Sequence, residues 1–314
     1  MTAFAVPANL AARAAADPRS GLRDWVAGLP SVITELSQRW QLTIGAPFRP
    51  GGQASWVAPA RDTRGRDLVV KVGWRHSEAA HEAAGLRSWN GNGAVLVYEA
   101  WSDDHTSALL LERCTPGTAL SSDTSESEQD IVIAGLLRRL WRIPEDGHPF
   151  RPLQQMCESW ADQFELDLAR TPGRLDPGLT RAGIELFRAL PAEAGQPVLL
   201  CTDLHAGNVL AARREPWLVI DPKPYVGDRT YDALQHMLNC ADASLGIPAV
   251  RPADGRPARP RRRAPREVAV RPLRPRKHQR PCPVGRRPAT RTTLINGDSP
   301  WPNRDPCKPL WNVR

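Results

Sequence analysis

Two strand-like segments near the middle of the chain each end in polar residues of the kinds that phosphoryl transfer requires. The first, LLCTDLHAGNVL at 199–210, carries Asp203 and Asn208 in the spacing D-x-x-x-x-N, and the second, WLVI at 217–220, is followed at once by Asp221. A carboxylate can orient or deprotonate an attacking hydroxyl, and carboxylate and amide oxygens can hold Mg²⁺ on nucleotide phosphates. These three residues are therefore candidates for a phosphotransfer site, although the D-x-x-x-x-N spacing alone is common.

A phosphotransfer site also needs a cation for the phosphates that are not transferred. Lys71 lies in the apolar strand-like run LVVKVGW, from which it can reach such phosphates, and Glu82 on the following helical segment could hold it by an ion pair. Glu78 lies one turn away on the same segment and could take the place of Glu82. Gly51 and Gly52 open the preceding strand as a short glycine-bearing turn.

The elements expected around these residues form a small strand-rich lobe followed by a helical block. Strand-like apolar runs flank the polar turn at 62–67, and two shorter runs follow at 94–100 and 108–112. Segments with apolar residues at helical spacing are 21–40 with Pro30 as a break, 76–89 with Ser77 as its N-cap, 131–141, 157–168, 179–190 and 231–239. The expected fold class is α+β, with a small antiparallel-sheet lobe and then a mainly helical lobe.

Taken together, these motifs resemble the aminoglycoside phosphotransferases, relatives of the protein kinases, and among them the streptomycin and hydroxyurea resistance kinases. The resemblance runs from about residue 21 to residue 240, and its most specific part is CTDLHAGNVLA..REPWLVIDPKPYVGDRTYD. It implies a two-lobed protein-kinase-like fold with ATP between the lobes. The chain departs from the family at Cys201 and Thr202, where His-Gly is usual, and in its shortened glycine loop GGQAS.

Carried over position by position, the resemblance implies a role for each candidate residue and implies ATP and Mg²⁺ as cofactors. Asp203 would be the catalytic base, with Asn208 and Asp221 as the metal ligands. The implied nucleotide-binding residues are Lys71 with its partner Glu82, the turn at Gly51 and Gly52, and the interlobe link LLLER including Glu112, whose backbone would hold adenine. Three further polar residues are expected to brace these loops rather than to react: His205, Asp228 and Asp232.

The composition is that of an ordinary soluble protein. At 314 residues, with 41% hydrophobic and 24% charged residues, the chain can form two lobes that each bury a core. No apolar run approaches the roughly 20 residues that a membrane span needs, and the N-terminus lacks a leader pattern, so we expect a cytoplasmic protein without a membrane partner. The six cysteines are scattered without close CxxC pairing, which suggests neither a zinc site nor a disulfide framework.

The net charge of +8 is unevenly distributed along the chain. Residues 250–314 contain 18 Lys and Arg against 4 Asp and Glu, a net charge of +14, while the preceding residues carry a net charge of −6. The same segment holds 13 of the 31 prolines and shows no helical period, so a boundary is expected near residue 248. The expected division is a nucleotide-binding lobe at 1–113, a helical catalytic lobe at 114–248 and a tail at 249–314.

Three explanations of this tail are open. It could be an arm for nucleic acid or a membrane surface, but no aromatic residues alternate with its arginines, so a nucleic-acid partner is not expected. It could be a solvated, disordered extension. It could also result from a reading-frame change in GC-rich DNA, since out-of-frame GC-rich codons encode mostly Arg, Pro, Ala and Gly.

The expected function is Mg·ATP-dependent phosphorylation of a hydroxyl group on a small antibiotic, a streptomycin-type aminoglycoside, which would confer resistance. An acidic body is compatible with a polycationic acceptor. The alternatives are a metabolic or hydroxyurea kinase, and a nucleotide-binding protein that is inactive because the tail replaces the helices that wall the acceptor pocket in the resembled family. The sequence does not indicate the oligomeric state.

Overall fold

The computed structural model describes residues 5–17, 21–170, 176–193 and 195–244, which form a sheet-containing lobe followed by a mainly helical lobe. The first lobe is built on a five-stranded antiparallel sheet with strand order β1-β2-β3-β5-β4. Its elements are α1 (Ala8–Ala16), α2 (Gly21–Arg39), β1 (Leu42–Ile44), β2 (Ser55–Asp62), β3 (Asp67–Trp74), α3 (Glu82–Trp89), β4 (Val97–Ser102) and β5 (Thr106–Glu112). The expected α+β fold class is confirmed.

The β2–β3 hairpin forms around the polar turn at 62–67, as the sequence predicts. On β3 the side chains of Val70 and Val72 are fully buried and share one core with Leu29 of α2. Because successive side chains of a strand point to opposite faces, Lys71 projects from the other face of the sheet. The apolar alternation of β3 therefore directs the lysine away from α2 and toward the second lobe.

The helix α2 continues through Pro30, so the expected break at this residue is wrong. One apolar stripe runs the length of the helix and is buried: Leu22, Trp25, Leu29, Ile33 and Leu36. Burying each large apolar side chain contributes roughly 1.5–3 kcal/mol, whereas a proline inside a helix costs about 3 kcal/mol. The stripe outweighs the proline, whose own side chain lies on the exposed face.

The helix α3 begins at Glu82, whereas the helix-forming composition of this segment predicts a start near Ser77. Ser77–Ala79 forms a separate 3-10 turn, and no side chain caps the start of α3. The later start places the buried carboxylate of Glu82 in the first turn of the helix, where the macrodipole favours negative charge.

The second lobe consists of helices and two small sheets, one with strand order β6-β10-β7 and one formed by β8 and β9. Its elements are α4 (Leu120–Asp123), α5 (Glu126–Leu140), β6 (Arg151–Pro152), α6 (Leu153–Arg170), α7 (Pro177–Ala189), β7 (Val198–Leu200), β8 (Val209–Ala211), β9 (Trp217–Val219), β10 (Tyr225–Gly227) and α8 (Thr230–Ser244). A core that includes Leu136 and Leu140 of α5 with Leu199, Val209 and Leu218 joins these strands to the helices.

The short strands β7, β8 and β9 carry the candidate residues at their ends. The loop 201–208 connects β7 to β8, and Asp221 comes two residues after the end of β9. In the described ranges no helix is both long and apolar enough to cross a membrane. The boundary expected near residue 248 and the tail after it lie outside the described residues, and the expected domain limits stay predictions.

The close approach of α3 to the loop after Asp221 gives a test of how tightly the two lobes are fitted. A Cβ at Gly85 would lie 2.3 Å from Cγ of Pro224, whereas a Cβ at Gly135 in α5 would meet nothing within 4 Å. We expect Gly85→Ala to lower the free energy of unfolding by about 1–3 kcal/mol through overpacking. We expect Gly135→Ala, the matched control, to raise it by up to about 1 kcal/mol because alanine is the better helix former.

Denaturant-induced unfolding of both variants beside the parent measures these changes. Equal effects of the two substitutions would contradict the close contact between α3 and Pro224.

Candidate active site

A cavity of about 380 Å³ opens between the sheet and the β8–β9 hairpin, within the size range of small-molecule sites. Apolar side chains line it from both lobes: Val57, Val69 and Leu111 from the sheet, and Leu210 and Ile220 from the hairpin. Its charged end is lined by Lys71, Glu82 and Asp221. A slot with apolar walls and a cation at one end suits a planar base that carries phosphates.

Lys71 brings three separate parts of the chain together at the charged end of the cavity. Its Nζ lies 2.7 Å from both carboxylate oxygens of Glu82 on α3 and 2.6 Å from Oδ1 of Asp221 in the second lobe. The lysine and glutamate side chains are 13% and 7% exposed, whereas that of Asp221 is 49% exposed. Glu82 thus makes the ion pair expected for Lys71; the side chain of the alternative, Glu78, lies outside the described part of the chain.

Burial and the opposite charges act against each other on the protonation of this triad. Burial alone would lower the pKa of Lys71, but the carboxylates of Asp221 and Glu82 raise it well above its ordinary value. Partial burial likewise opposes ionisation of Asp221, whose side chain is 49% exposed, and the Lys71 ammonium holds the pKa of this carboxyl below its usual range. Burial raises the pKa of Glu82 to about 7, an effect that Lys71 reduces and the charge of Asp221 reinforces. Lys71 therefore stays cationic and Asp221 stays anionic at neutral pH.

Asp203 lies in the loop after β7 and is 8% exposed. Its Oδ2 lies 3.0 Å from Nζ of Lys223, and its Oδ1 lies 3.4 Å from Nε2 of Gln235 on α8. Neither Lys223 nor Gln235 is among the site residues expected from the sequence. The sequence does mark Lys223 as a candidate, because it stands two residues after Asp221 in the run DPKP. No local pattern marks Gln235, which lies on an amphipathic helix.

The loop that carries Asp203 is held by its own polar groups. The side-chain amide of Asn208 donates to the carbonyl oxygen of Asp203 over 2.9 Å, and Ile220 N–H donates to the carbonyl oxygen of Asn208 over 2.9 Å. Gly207 N–H donates to Nδ1 of His205, whose pKa is lowered by burial, so the neutral imidazole accepts this bond. Asn208 is thereby tied to Asp203 and to the end of β9, and its side chain has no direct bond to Asp221 among the described contacts.

Asp232 on α8 binds the backbone of the same loop. Its carboxylate is fully buried and accepts from Cys201 N–H over 3.0 Å, from Thr202 N–H over 2.6 Å and from the indole N–H of Trp141 over 3.1 Å. Thr202 adopts a φ of 51°, a left-handed conformation that is uncommon for a β-branched residue. The expectation that Asp232 braces the loop is confirmed, and Asp228 caps the start of α8 by accepting from Thr230 N–H.

The interlobe link is fixed by an ion pair that no local sequence pattern predicts. The guanidinium of Arg214, in the β8–β9 turn, donates to both carboxylate oxygens of Glu112 over 2.8 and 2.9 Å. The same guanidinium donates to the carbonyl oxygens of Gly91 and Ala94, and Leu96 N–H donates to Glu112. The side chain of Glu112 is thus engaged within the protein, although the residue lines the cavity as expected.

The two glycines of the shortened loop lie in different surroundings. Gly52 lines the cavity, whereas Gly51 is not among the lining residues. Gly51 has a φ of 84°, its carbonyl oxygen accepts from the side-chain amide of Asn9, and a Cβ there would lie 2.3 Å from Cβ of Pro7. Gly51 therefore fits the loop against the N-terminal segment, and only Gly52 is placed to approach a ligand.

The donor set of the cleft fits a magnesium-bound nucleotide. The half-exposed carboxylate of Asp221 and the carboxamide of Asn208, in the loop beside β9, are hard oxygen ligands of the kind that Mg²⁺ prefers. Lys71 supplies a fixed cation bonded to Asp221, and Asp203 supplies a second carboxylate paired with Lys223. Asp203, Asn208 and Lys223 are not among the residues that line the cavity. This arrangement can orient phosphates at one point and receive a proton from a hydroxyl group at another.

Comparison with known proteins finds one family and several relatives. The model of the aminoglycoside/hydroxyurea antibiotic resistance kinase family matches residues 39–274. The chain is 36% identical over 208 residues to a streptomycin 6-kinase of Streptomyces glaucescens, with 66% of each chain covered. It is 34% identical over 210 residues to that of Streptomyces griseus, with 67% of each covered, and 37% identical over 224 residues to a hydroxyurea phosphotransferase of Kitasatospora aureofaciens, with 69% of this chain and 63% of the relative covered. The chain thus spans about two thirds of the length of these relatives.

The buried Asp232 predicts a pH dependence of stability. Burial raises its pKa to about 6 from the ordinary 3.8, although the three N–H donors act in the opposite direction. The folded protein therefore retains a proton that the unfolded chain has already released, and this contribution to stability is present below pH 3.8 and is lost as the pH rises through about 6. A difference of about 2 pKa units corresponds to about 3 kcal/mol.

As the pH rises from below 3.8 to above about 6, the free energy of unfolding of the parent should therefore fall by about 3 kcal/mol relative to that of the non-titrating Asp232→Asn variant. Denaturant unfolding of both proteins at matched pH values measures it. If the free energies of unfolding of the two proteins change with pH in parallel, the pKa of Asp232 is not raised in the folded protein.

Proposed function

Because this chain belongs to the aminoglycoside/hydroxyurea antibiotic resistance kinase family, we propose that it transfers the γ-phosphoryl group of Mg·ATP to a hydroxyl group of a streptomycin-type aminoglycoside. The observation that carries this proposal is the contact of Lys71 with Glu82 and Asp221, which joins the two lobes at the charged end of the cavity. A lysine that is fixed by ion pairs with two carboxylates supplies a positive charge at a defined position, as the phosphates that are not transferred require. In the proposed complex Lys71 binds the phosphates that are not transferred.

Four polar residues in the loops after β7 and β9 have a part in the proposed reaction. The acceptor oxygen forms a bond to the γ-phosphorus while the bond from that phosphorus to the bridging oxygen breaks, the hydroxyl proton passes to the carboxylate of Asp203, and ADP leaves. Mg²⁺, when bound by Asp221 and Asn208, neutralises charge on the phosphate oxygens. Lys223 orients the Asp203 carboxylate through its 3.0 Å contact and adds a positive charge next to the transferred group.

The choice of acceptor rests on charge and on the relatives. Residues 1–249 carry a net charge of −6, which favours a polycationic acceptor over a neutral one. Two of the three relatives described above are named streptomycin 6-kinases, and the third is named a hydroxyurea phosphotransferase. Hydroxyurea is neutral and gains nothing from the acidic body. A hydroxyurea kinase is therefore the second candidate function.

Substitutions at the two candidate carboxylates should separate chemistry from nucleotide binding. We expect Asp203→Asn to lower streptomycin-dependent turnover by about 10²–10⁴-fold, because the general base is lost, and to leave ATP affinity within about twofold. We expect Asp221→Asn to weaken Mg·ATP binding by about tenfold or more, because a charged contact to the metal is lost. ATP consumption and calorimetric nucleotide binding measure the two effects.

The exposed Asp146→Asn variant is the matched control and should behave like the parent. Turnover retained by Asp203→Asn would refute its role as base. ATP consumption that depends on hydroxyurea, and not on streptomycin, would identify the second candidate. Nucleotide binding without turnover on any acceptor would identify a chain that binds ATP without transferring phosphate.

Lys223 should contribute to the chemical step more than to nucleotide affinity. We expect Lys223→Met to lower kcat by about 10²–10³-fold with a small change in the KM for ATP, because a charge beside the reacting group is lost. Lys223→Arg keeps the charge and should recover most of this loss. Steady-state kinetics of the two variants measure the effect, and a loss of equal size in both would assign Lys223 a packing role only.

A further inference from the structure

A cluster of metal-ligand side chains lies between α5 and α8, apart from the nucleotide cleft. His236 and Cys240 are four residues apart on α8 and therefore lie on one face of that helix, one turn from each other. Asp130 on the neighbouring α5 reaches the same point. Nε2 of His236 lies 2.8 Å from Oδ1 of Asp130 and 3.7 Å from Sγ of Cys240, and one ligand atom from each residue lies within 4.8 Å of the other two.

We propose that His236, Cys240 and Asp130 form a binding site for a zinc-class divalent cation that fastens α8 to α5. Imidazole nitrogen, thiolate sulfur and carboxylate oxygen are the three ligand types of protein zinc sites. Ligand atoms of a tetrahedral zinc site, bonded at about 2.0–2.3 Å, stand roughly 3.3–3.7 Å from one another. The observed separation of 3.7 Å between nitrogen and sulfur already meets this, and the Asp130 carboxylate must move back from the imidazole by a fraction of an ångström. The carboxylate oxygen and the sulfur lie within 4.8 Å of each other and must approach to the same range.

The surroundings of the cluster allow a cation to enter and be held. The His236 side chain is 7% exposed, so one ligand is fixed by packing, while that of Asp130 is 65% exposed and free to adjust. A divalent cation would displace the proton of the Cys240 thiol to solvent. The fourth position is open to water or to Glu126, one turn before Asp130 on α5.

The site would stabilise α8, the helix that supports the loop 201–208. α8 also carries Asp232, which holds the backbone at Cys201 and Thr202, and Gln235, which contacts Asp203. A cation that links α8 to α5 would restrict movement of this helix. The proposal does not depend on the acceptor or on phosphotransfer, and its test needs no enzyme assay.

Co²⁺ is the spectroscopic probe for this site, added to the metal-free 314-residue chain without nucleotide. We expect one Co²⁺ per chain, with a thiolate-to-cobalt charge-transfer band and the visible spectrum of a tetrahedral centre, both abolished by added Zn²⁺. Cobalt held at Asp203 and Asp221 would have only oxygen ligands and could not give the thiolate band. Absence of the band from the parent protein would overturn the proposal.

Cysteine variants locate the ligand. Cys240→Ser should abolish the band, whereas Cys114→Ser, at another half-buried cysteine, should keep it. A variant with both Cys282→Ser and Cys307→Ser should also keep it, and its loss there would place the cation elsewhere and overturn the proposal. Zn²⁺ should raise the melting temperature of the parent and not that of His236→Gln, a readout that remains valid if the variant is less stable. A band that persists in Cys240→Ser would equally overturn the assignment.

Discussion

The position of the Lys71 ammonium between Glu82 and Asp221 is the constraint on which the rest of the cleft depends. A cation that is 13% exposed is stable only when its charge is compensated at hydrogen-bond distance. Here the compensation comes from α3 in one lobe and from the loop after β9 in the other. The two lobes therefore meet at this point with a defined spacing, and the glycine at position 85 lets α3 approach that loop closely enough.

The charges around this point also explain why a metal ion belongs to the proposed reaction. Lys71, Lys223 and Arg113, the last of which also lines the cavity, supply three positive charges. Glu82, Asp203 and Asp221 can supply three negative ones, and Glu112 is paired with Arg214. Such a set of side chains has no surplus positive charge for a triphosphate, so its carboxylates would repel the phosphates unless a divalent cation compensated them.

The sequence allowed prediction of residues that lie on strands or directly after them, and it failed for contacts made across the fold. Lys71 and Asp221 could be placed because an apolar alternation or run locates them relative to a buried strand. Gln235 and Arg214 could not, because their partners are 32 and 102 residues away and no local pattern marks the pairing. The cluster at His236 and Cys240 was hidden for the same reason, since its third member is 106 residues distant. The break predicted at Pro30 is wrong for a different reason. Burial of the apolar stripe of α2 outweighs the low helix propensity of proline.

The distribution of contacts between the lobes indicates which contact of the cleft can exchange. At the back, Arg214 in the β8–β9 turn bonds to Glu112 and to two backbone carbonyls of the segment between α3 and β4. The hairpin also pairs directly with that segment through the bridge between Ala94 and Val219. At the charged end, by contrast, the bond of Lys71 ends on a carboxylate that is 49% exposed and therefore accessible to a ligand or to water. Among the described contacts, the bonds from Arg142 to the carbonyl oxygen of Ser88 and from Arg151 to that of Ser77 also hold α3 and the turn before it to the second lobe. In the proposed complex the change at the charged end is therefore confined to the half-exposed Asp221 carboxylate, which exchanges Lys71 for a bound cation while Glu82 keeps the lysine in place.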